Sequence, residues 1–214
     1  MSILSAAGLE FLMRWGHFLA GVTWIGLLYY FNFVQGEYFK EATPEAKADA
    51  VKKLVPRALW WFRYGALVTF LTGVTILLLR GHPTEGWTVD ITIGALMGTL
   101  MFLNVWLIIW PNQKIVCGIV SGDAAAAGPK ALLASRTNTL FSGPMLLFMG
   151  ASTHMSHGML GTASPAALWS IVGIIAALEA NAVVGKIGPM ASVKGVIHCS
   201  LALAVVFWAL MSLL

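Results

Sequence analysis

Residues 58–79 read ALWWFRYGALVTFLTGVTILLL and contain a single charged side chain, that of Arg63. A transmembrane helix needs about 20 mostly apolar residues to cross the hydrocarbon core of a bilayer, and this stretch provides them. Five further stretches of this kind lie near residues 9–34, 91–110, 137–157, 164–185 and 194–214. The sequence therefore predicts an all-α integral membrane protein, a bundle of about six transmembrane helices that forms a single domain over residues 1–214.

The composition excludes a soluble globular protein. Hydrophobic residues make up 58% of the chain, charged residues make up 10%, and the mean hydropathy is +0.81. This leaves too little polar surface to cover a soluble domain. The formal net charge of +4 does not indicate a nucleic-acid partner, because membrane topology explains where the basic residues lie. We expect the lipid bilayer to be the main partner of the helices.

The positions of the basic residues predict the orientation in the membrane, since loops rich in lysine and arginine stay on the cytoplasmic side. They concentrate in or beside the first, third and fifth loops, at Lys40, Lys47, Lys52, Lys53, Arg57, Lys114, Lys130, Arg136, Lys186 and Lys194. The first and third of these loops, residues 36–57 and 111–136, are the longest connections. Both termini are therefore predicted on the outer face. The first apolar stretch lacks the basic n-region of a signal peptide, so we expect it to be retained.

The first apolar stretch contains the strongest candidate site. Residues 14–26 read RWGHFLAGVTWIG, and in a helix His17, Gly21 and Trp24 share one face. An imidazole can ligate haem iron, a nearby glycine lets a flat macrocycle approach the backbone, and an aromatic ring can pack on its edge. Arg14, one turn nearer the outer surface, is placed to pair with a haem propionate. The alternative is a histidine that hydrogen-bonds a neighbouring helix, with the small residues serving close packing.

A haem b held by two histidines needs a second imidazole at a similar depth. His17 lies about eight residues, or roughly 12 Å, below the outer end of its stretch. His154, near the outer end of the fourth stretch, lies in the same leaflet and is the predicted partner. His198, near the cytoplasmic end of the sixth stretch, is the fallback ligand for the same haem or for a second one. His157, one turn beyond His154, is either a further fallback or a solvated loop residue.

Other polar residues within the apolar stretches have less specific interpretations. Glu179 is expected to be protonated or paired, and to serve either proton or quinone chemistry or a structural role. The candidates for a structural partner of this carboxyl group are Lys186, His198 and Arg63. Asn104 is interpreted as a hydrogen-bonding contact between helices. Cys117 and Cys199 form no C-x-x-C-H pattern, so no covalent haem c site is predicted.

Four groups of residues together indicate a family. They are the His17 segment continuing through Tyr29-Tyr30-Phe31-Asn32, residues 56–64 (PRALWWFRY), Asn104-Val105-Trp106 leading to residues 110–114 (WPNQK), and residues 135–139 (SRTNT) running through Pro144-Met145 to His154. With these residues the chain resembles the membrane-embedded N-terminal domain of the bacterial membrane-bound urate oxidases, or urate hydroxylases. The resemblance implies a bacterial inner membrane location. It also carries over His17 and His154 as site positions, whereas His198 lies outside the matching stretches.

The resemblance also suggests how the chain exchanges electrons. In the long members of the family such a domain precedes a cytochrome c, and the predicted orientation would deliver that cytochrome to the outer face. This chain reaches Leu214 without a C-x-x-C-H motif, so we expect a separate cytochrome c or a larger oxidoreductase complex as its partner.

Three functions are compatible with the sequence. The first is a haem b electron-transfer module that holds one haem, or two, near the outer face. The second is an enzyme that itself oxidises urate or another small reductant beside the haem. The third is a structural or assembly subunit of a membrane complex that has no cofactor and in which the histidines are only packed. A small transporter is disfavoured, because the stretches show no paired broken helices and no inverted repeat.

Overall fold

The computed structural model describes residues 3–214, which form helices joined by short connections. The α-helices in chain order are α1 (Ala6–Tyr29), α2 (Gly36–Glu41), α3 (Pro44–Lys53), α4 (Val55–Leu79), α5 (Pro83–Gly86), α6 (Val89–Leu103), α7 (Trp110–Val116), α8 (Ala124–His154), α9 (Pro165–Val184) and α10 (Val193–Leu213). The π-helical segments Tyr30–Gln35 and Asn104–Ile109 join α1 to α2 and α6 to α7. Short 3₁₀ turns at Leu160–Thr162 and Gly188–Ala191 precede α9 and α10. No β-strand occurs within the described range, so the prediction of an all-α protein is confirmed.

The described residues include five helical segments that are long and apolar enough to cross a membrane. They are Ala6–Glu41, Val55–Leu79, Val89–Val116, Pro165–Val184 and Val193–Leu213. They correspond to five of the six predicted stretches, so the chain has the character of a multi-pass membrane protein.

The remaining predicted stretch, residues 137–157, lies largely within α8. This helix has 31 residues and is therefore about 46 Å long at 1.5 Å per residue, so it has the length to cross a bilayer. It is less apolar than the other five segments because it carries Thr137, Asn138, Thr139 and Ser142, all of which are buried. These polar side chains lower the hydropathy of α8. Because they are buried against other helices, they do not prevent α8 from lying in the bundle.

The connection before α8 is shorter than predicted. Residues 111–136 were expected to form a loop, but α7 continues to Val116 and α8 begins at Ala124. The Asp123 carboxylate caps α8 by accepting hydrogen bonds from the backbone N–H groups of Ala125 at 2.9 Å and Ala126 at 3.1 Å. Arg136 is consequently a residue of α8 and not of a loop, and only 5% of it is exposed.

The long helices alternate in direction, so their ends can be assigned to two ends of the bundle. His17 in the middle of α1 contacts Thr72, which lies seven residues before the end of α4. His157, just after α8, contacts Asp90 at the start of α6. Ser212 at the end of α10 lies close to the same histidine. We call this the upper end of the bundle, and we call the end that holds α2, α3 and the start of α8 the lower end.

Two contacts relate depths on α1, α8 and α10. The hydroxyl groups of Tyr29 and Ser142 are hydrogen-bonded at 2.9 Å, which places these residues of α1 and α8 at the same level. Gly143 lies against the side chain of Ser200 on α10, where a Cβ atom would collide. α8 lies between its neighbours and packs against α6, α7 and α10. Depths along these three helices can therefore be counted from one shared level.

Candidate functional site

The imidazole of His17 lies in the interface between α1 and α4. Its Nδ1 atom is 3.1 Å from the Thr72 hydroxyl oxygen on α4. Gly73, the next residue, leaves room for the ring, since a Cβ atom there would lie 3.1 Å from the imidazole Cε1 atom. The ring is half-buried. Thr72 and Gly73 together therefore fix the position and orientation of the imidazole.

The hydrogen bonds of Thr72 indicate which nitrogen of His17 carries the hydrogen. The Thr72 hydroxyl has one hydrogen, which points to the backbone carbonyls of Val68 at 2.7 Å and Thr69 at 3.0 Å. Its oxygen can then only accept from His17, so Nδ1 donates and Nε2 of the neutral ring keeps a free lone pair. The described hydrogen-bonding contacts of the ring are with the Thr72 hydroxyl group and with the backbone of Thr69. In this tautomer Nε2 is the nitrogen that can ligate a metal.

The structure places Gly21 and Trp24 on the α4 side of α1, as it does His17. A Cβ atom added to Gly21 would lie 3.9 Å from the methyl group of Thr69 on α4. Trp24 is 2% exposed, and its backbone nitrogen lies 3.2 Å from the position of a Cβ atom on Gly65. The two residues thus serve the close approach of α1 and α4. The indole Nε1 of Trp24 is buried with no hydrogen-bond partner in the described part of the chain.

Arg14 already has an anionic partner within its own helix. Its Nε atom donates to the Glu10 carboxylate at 3.0 Å, one turn away on α1. Both side chains are more than a third exposed, so the contact is a surface ion pair. A haem propionate at Arg14 would have to share this guanidinium with Glu10 or displace the carboxylate.

His154 lies at about the same depth as His17. Counting from the Tyr29–Ser142 contact, His17 is twelve residues up α1 and His154 is twelve residues up α8, which is about 18 Å for each at 1.5 Å per residue. His154 is the last residue of α8 and is exposed. No contact between His17 and His154 is present among those described, so the structure brings the two histidines to one level but not together.

His198 lies at a different level. It is exposed on α10, two residues below Ser200 and therefore close to the Gly143 level of α8. Counted from these levels, His17 lies roughly 20 Å above His198 itself. One haem iron cannot be bound by His17 and His198 across such a distance.

A hydrogen-bonded pair of an aspartate and a histidine at the upper end was not found by sequence reasoning. Asp90, in the first turn of α6, is fully buried and accepts a hydrogen bond from Nδ1 of His157 at 2.7 Å. The same carboxylate accepts from the His157 backbone N–H at 2.8 Å and from the Ser156 hydroxyl at 3.1 Å. The interpretation of His157 as a solvated loop residue is therefore wrong. The two residues are 67 positions apart, so no local pattern could have indicated the pair.

The environment of His157 also orients its second nitrogen. The ring meets the indole of Trp208 at a centroid distance of 4.4 Å and stacks on Phe148 at 6.2 Å. Its Nε2 atom lies 3.4 Å from the Ser212 hydroxyl, which is a weak contact. His157 is thus a second imidazole at the upper end whose Nδ1 is held by a protein acceptor.

A polar cluster joins α8 and α9 to the first residue of the π-helical segment after α6. The Asn104 side-chain amide donates to Oδ1 of Asn138 at 3.0 Å and to Glu179 at 3.1 Å. Asn138 in turn donates to the Met101 carbonyl at 2.9 Å. The interpretation of Asn104 as a contact between helices is confirmed. The described partner of Glu179 is Asn104, not Lys186, His198 or Arg63, so the predicted charged partner is wrong.

The cluster borders a groove between α6 and α9. The groove has a volume of about 290 Å³ and is lined by Leu96, Leu100, Val172, Ile175, Ala176 and Glu179. Near its polar end, the Oδ1 atom of Asn104 is buried and has no hydrogen-bond partner in the described residues. π-Helical segments often occur at functional sites. The groove therefore combines an apolar wall with a few polar groups at one end, as small-molecule sites do.

Comparison with known proteins gives a family. A family model described as urate oxidase N-terminal matches residues 82–210, which is more than half of the chain. The matched region includes Asp90, His154 and His157, whereas His17 lies before it. No curated protein and no solved structure matches the chain.

Proposed function

Because this chain belongs to the urate oxidase N-terminal family, as its resemblance predicted, we propose that it is a membrane-embedded haem b electron-transfer module. His17 is the proposed axial ligand and His154 the proposed second ligand. Electrons pass to a cytochrome c, or to a larger oxidoreductase, at the outer face of a bacterial inner membrane. The apolar helices fit a lipid bilayer as their environment.

The hydrogen bond between His17 and Thr72 is the observation that carries this proposal. Ligating histidines nearly always donate their other ring N–H to a protein group or water, which fixes the tautomer and the ring orientation. Thr72 accepts in this way and leaves the lone pair of Nε2 free. When bound, haem b supplies reversible one-electron transfer at its iron. The chain contributes the ligand and its orientation.

The common depth of His17 and His154 supports the choice of the second ligand. No described hydrogen bond engages the His154 ring, so no protein contact has to break for it to bind iron. His157 is the alternative on the same side of the bundle, because Asp90 holds its Nδ1 and its Nε2 has only the weak Ser212 contact. A site at the upper end lies near the membrane surface, which shortens the distance to an electron acceptor outside.

The proposal is tested by the dithionite-reduced minus oxidised visible spectrum of the purified protein after haem-replete expression. The expected result is a b-type spectrum that is lost in His17→Ala and His154→Ala and kept in His198→Ala. If His157→Ala removes the spectrum and His154→Ala does not, His157 is the second ligand. Wild-type protein without any haem absorption would overturn the proposal and favour the structural-subunit function.

Thr72→Val tests the tautomer argument separately from the ligand itself. Valine keeps the shape of threonine but cannot accept the hydrogen bond from Nδ1. Loss of such a supporting contact weakens metal binding by about 10–100-fold. Thr75→Val is the matched control, because among the described residues the Thr75 hydroxyl bonds only the Leu71 carbonyl, at 2.9 Å in its own helix. Equal haem affinity in the two variants would show that Thr72 does not position the ligand.

Oxidation of urate by the chain itself is the second candidate function, and the groove between α6 and α9 favours it. Glu179 lines the groove and accepts a hydrogen bond from the Asn104 side-chain amide at 3.1 Å. The test is the anaerobic addition of urate to the oxidised, haem-loaded protein without a partner. Reduction of the haem in wild type but not in Glu179→Gln would support this function. No reduction in wild type would leave the chain as an electron-transfer module only.

A further inference from the structure

Arg136 is a buried cation without a described partner. Only 5% of the residue is exposed, although its side chain is long and positively charged and lies in the lower half of α8. Its Nε and Nη1 atoms are buried and form no hydrogen bond with any residue of the described chain. Three N–H donors of a charged group are therefore without an acceptor.

A guanidinium in this state is energetically unfavourable. Arginine stays charged in proteins, so it cannot lower the cost of burial by losing a proton. Buried charges are almost always paired, because an isolated ion in a medium of low dielectric constant loses its hydration without compensation. A bound anion would supply the missing acceptors and the missing negative charge.

A second unpartnered group belongs to the same region. The π-helical segment after α1 is joined to α8 by the Asn32 side chain, which donates to the Ser135 hydroxyl at 2.8 Å. Gln35 follows Asn32 by one turn, and its Oε1 atom is buried with no partner among the described residues. Arg136 is adjacent to Ser135. The Asn32–Ser135 hydrogen bond joins two segments that each carry an unused polar group. The segment after α1 has the acceptor Oε1 of Gln35, and α8 has the donors Nε and Nη1 of Arg136.

The nearest opposite charge does not satisfy Arg136. Glu37, just beyond Gln35, is close enough to attract the guanidinium, but its carboxylate is bound by Lys40 Nζ at 2.7 Å and 2.9 Å. No ion pair between Arg136 and Glu37 is formed. The buried Nε and Nη1 donors of Arg136 therefore remain unused within the described residues.

We propose that Arg136 and Gln35 form a binding site for a small soluble anion at the lower end of the bundle. The anion presents acceptor atoms to the guanidinium and an N–H or O–H donor to Gln35. Urate anion and hydrogenphosphate both have this chemistry. The site lies eighteen residues below His154 on α8, or about 27 Å, so it is separate from the proposed haem ligands and its test does not depend on them.

The test is isothermal titration of the full chain, purified in detergent and held in a low-anion buffer. The probes are sodium urate and sodium phosphate, with sodium chloride as the control for ionic strength. The expected result is one-site saturable binding of urate or phosphate, and the stronger of the two identifies the ligand chemistry. Arg136→Gln weakens binding by at least tenfold, and Gln35→Leu weakens it by roughly fivefold through loss of one hydrogen bond.

Two further variants keep the proposal falsifiable. Arg57→Gln is the matched control, because it removes one positive charge from an exposed position at the same end and should leave binding unchanged. Arg136→Lys keeps the charge but not the planar fork, and should bind with intermediate affinity. Without ligand, Arg136→Gln should be as stable to heat as wild type or more stable, because it relieves an unpaired buried charge.

Three results would overturn the site. The first is that neither probe shows saturable binding to the wild type. The second is that Arg136→Gln binds as tightly as Arg57→Gln. The third is that Arg136→Gln and Glu37→Gln destabilise the ligand-free protein equally. The last result would reveal a structural ion pair. Retention of phosphatidylglycerol by the wild type and not by Arg136→Gln, with no binding of either probe, would assign the guanidinium to a lipid headgroup and likewise overturn the soluble-anion proposal.

Discussion

Replacing Asp90 with asparagine should destabilise the fold far more than its single lost charge suggests. The Asp90 carboxylate is fully buried and accepts three hydrogen bonds, two from His157 and one from Ser156. Asparagine has nearly the same shape, but its amide group turns an N–H donor toward one of these donors. One buried donor then loses its acceptor, and the other bonds lose their charge assistance.

The expected cost follows from these contacts. Leaving a buried donor without its acceptor costs about 1–3 kcal/mol, and hydrogen bonds to a charged group contribute about 1.5–3 kcal/mol each. For a chain of this size each kcal/mol changes the melting temperature by roughly 2–4 °C. Asp90→Asn should therefore lower the melting temperature by on the order of 10 °C. Glu10→Gln is the control, because it removes an exposed carboxylate from the Arg14 ion pair and should cost about 0–1 kcal/mol.

The measurement is thermal unfolding of both variants in detergent, followed by tryptophan fluorescence. The double variant with His157→Ala should cost less than the sum of the single variants, with a coupling of about 1–3 kcal/mol. If Asp90→Asn melts within 2–3 °C of Glu10→Gln, the carboxylate does not hold the connection after α8, and the argument from buried hydrogen bonds fails.

Two other predictions concern helix packing and thiol reactivity. Gly65→Leu should destabilise the protein by about 1–3 kcal/mol more than Gly26→Leu. A Cβ atom on Gly65 would lie 3.2 Å from the Trp24 backbone nitrogen, whereas a Cβ atom on Gly26 would have no described atom within 4 Å apart from the backbone of its own helix and its chain neighbours. Equal melting temperatures of the two variants would contradict close packing of α1 on α4. Burial raises the pKa of the Cys117 thiol, so less thiolate is present at neutral pH. In a Cys199→Ser background, the rate of maleimide labelling should still rise with pH above about 8.5, where an ordinary cysteine is half ionised; a rate that levels off below that pH would refute the shift.

The sequence predicts the membrane-spanning helices well because hydropathy depends on each segment alone. It predicts α8 less well. Residues 124–136 contain alanine, glycine, proline and two basic residues, a composition that resembles a loop until neighbouring helices cover it. Arg136 was assigned to a loop for that reason, since nothing in its local sequence shows that α8 buries it.

The candidate site could be predicted only where its residues share one helix. His17, Gly21 and Trp24 lie at helical spacing, so their common face is visible in the sequence, but the identity of the helix that covers this face is not. The partner of His17 is 55 residues away on α4, and the partner of His157 is 67 residues away on α6. Hydrogen bonds over such distances depend on the assembled bundle, so the tautomer of His17 and the burial of Asp90 required the structure.

The polar character of α8 connects the two proposed sites. In a bilayer there is no hydrophobic driving force between apolar helices, so a central helix is held by close packing and by hydrogen bonds to its neighbours. Ser142 provides such a bond to α1, Ser135 to the π-helical segment after α1, and Asn138 to the segment after α6. These bonds fix the register of α8, and with it the depths of His154 at the upper end and Arg136 at the lower end. The residues that make α8 more polar than the five other membrane-spanning segments are thus the same ones that position both candidate sites.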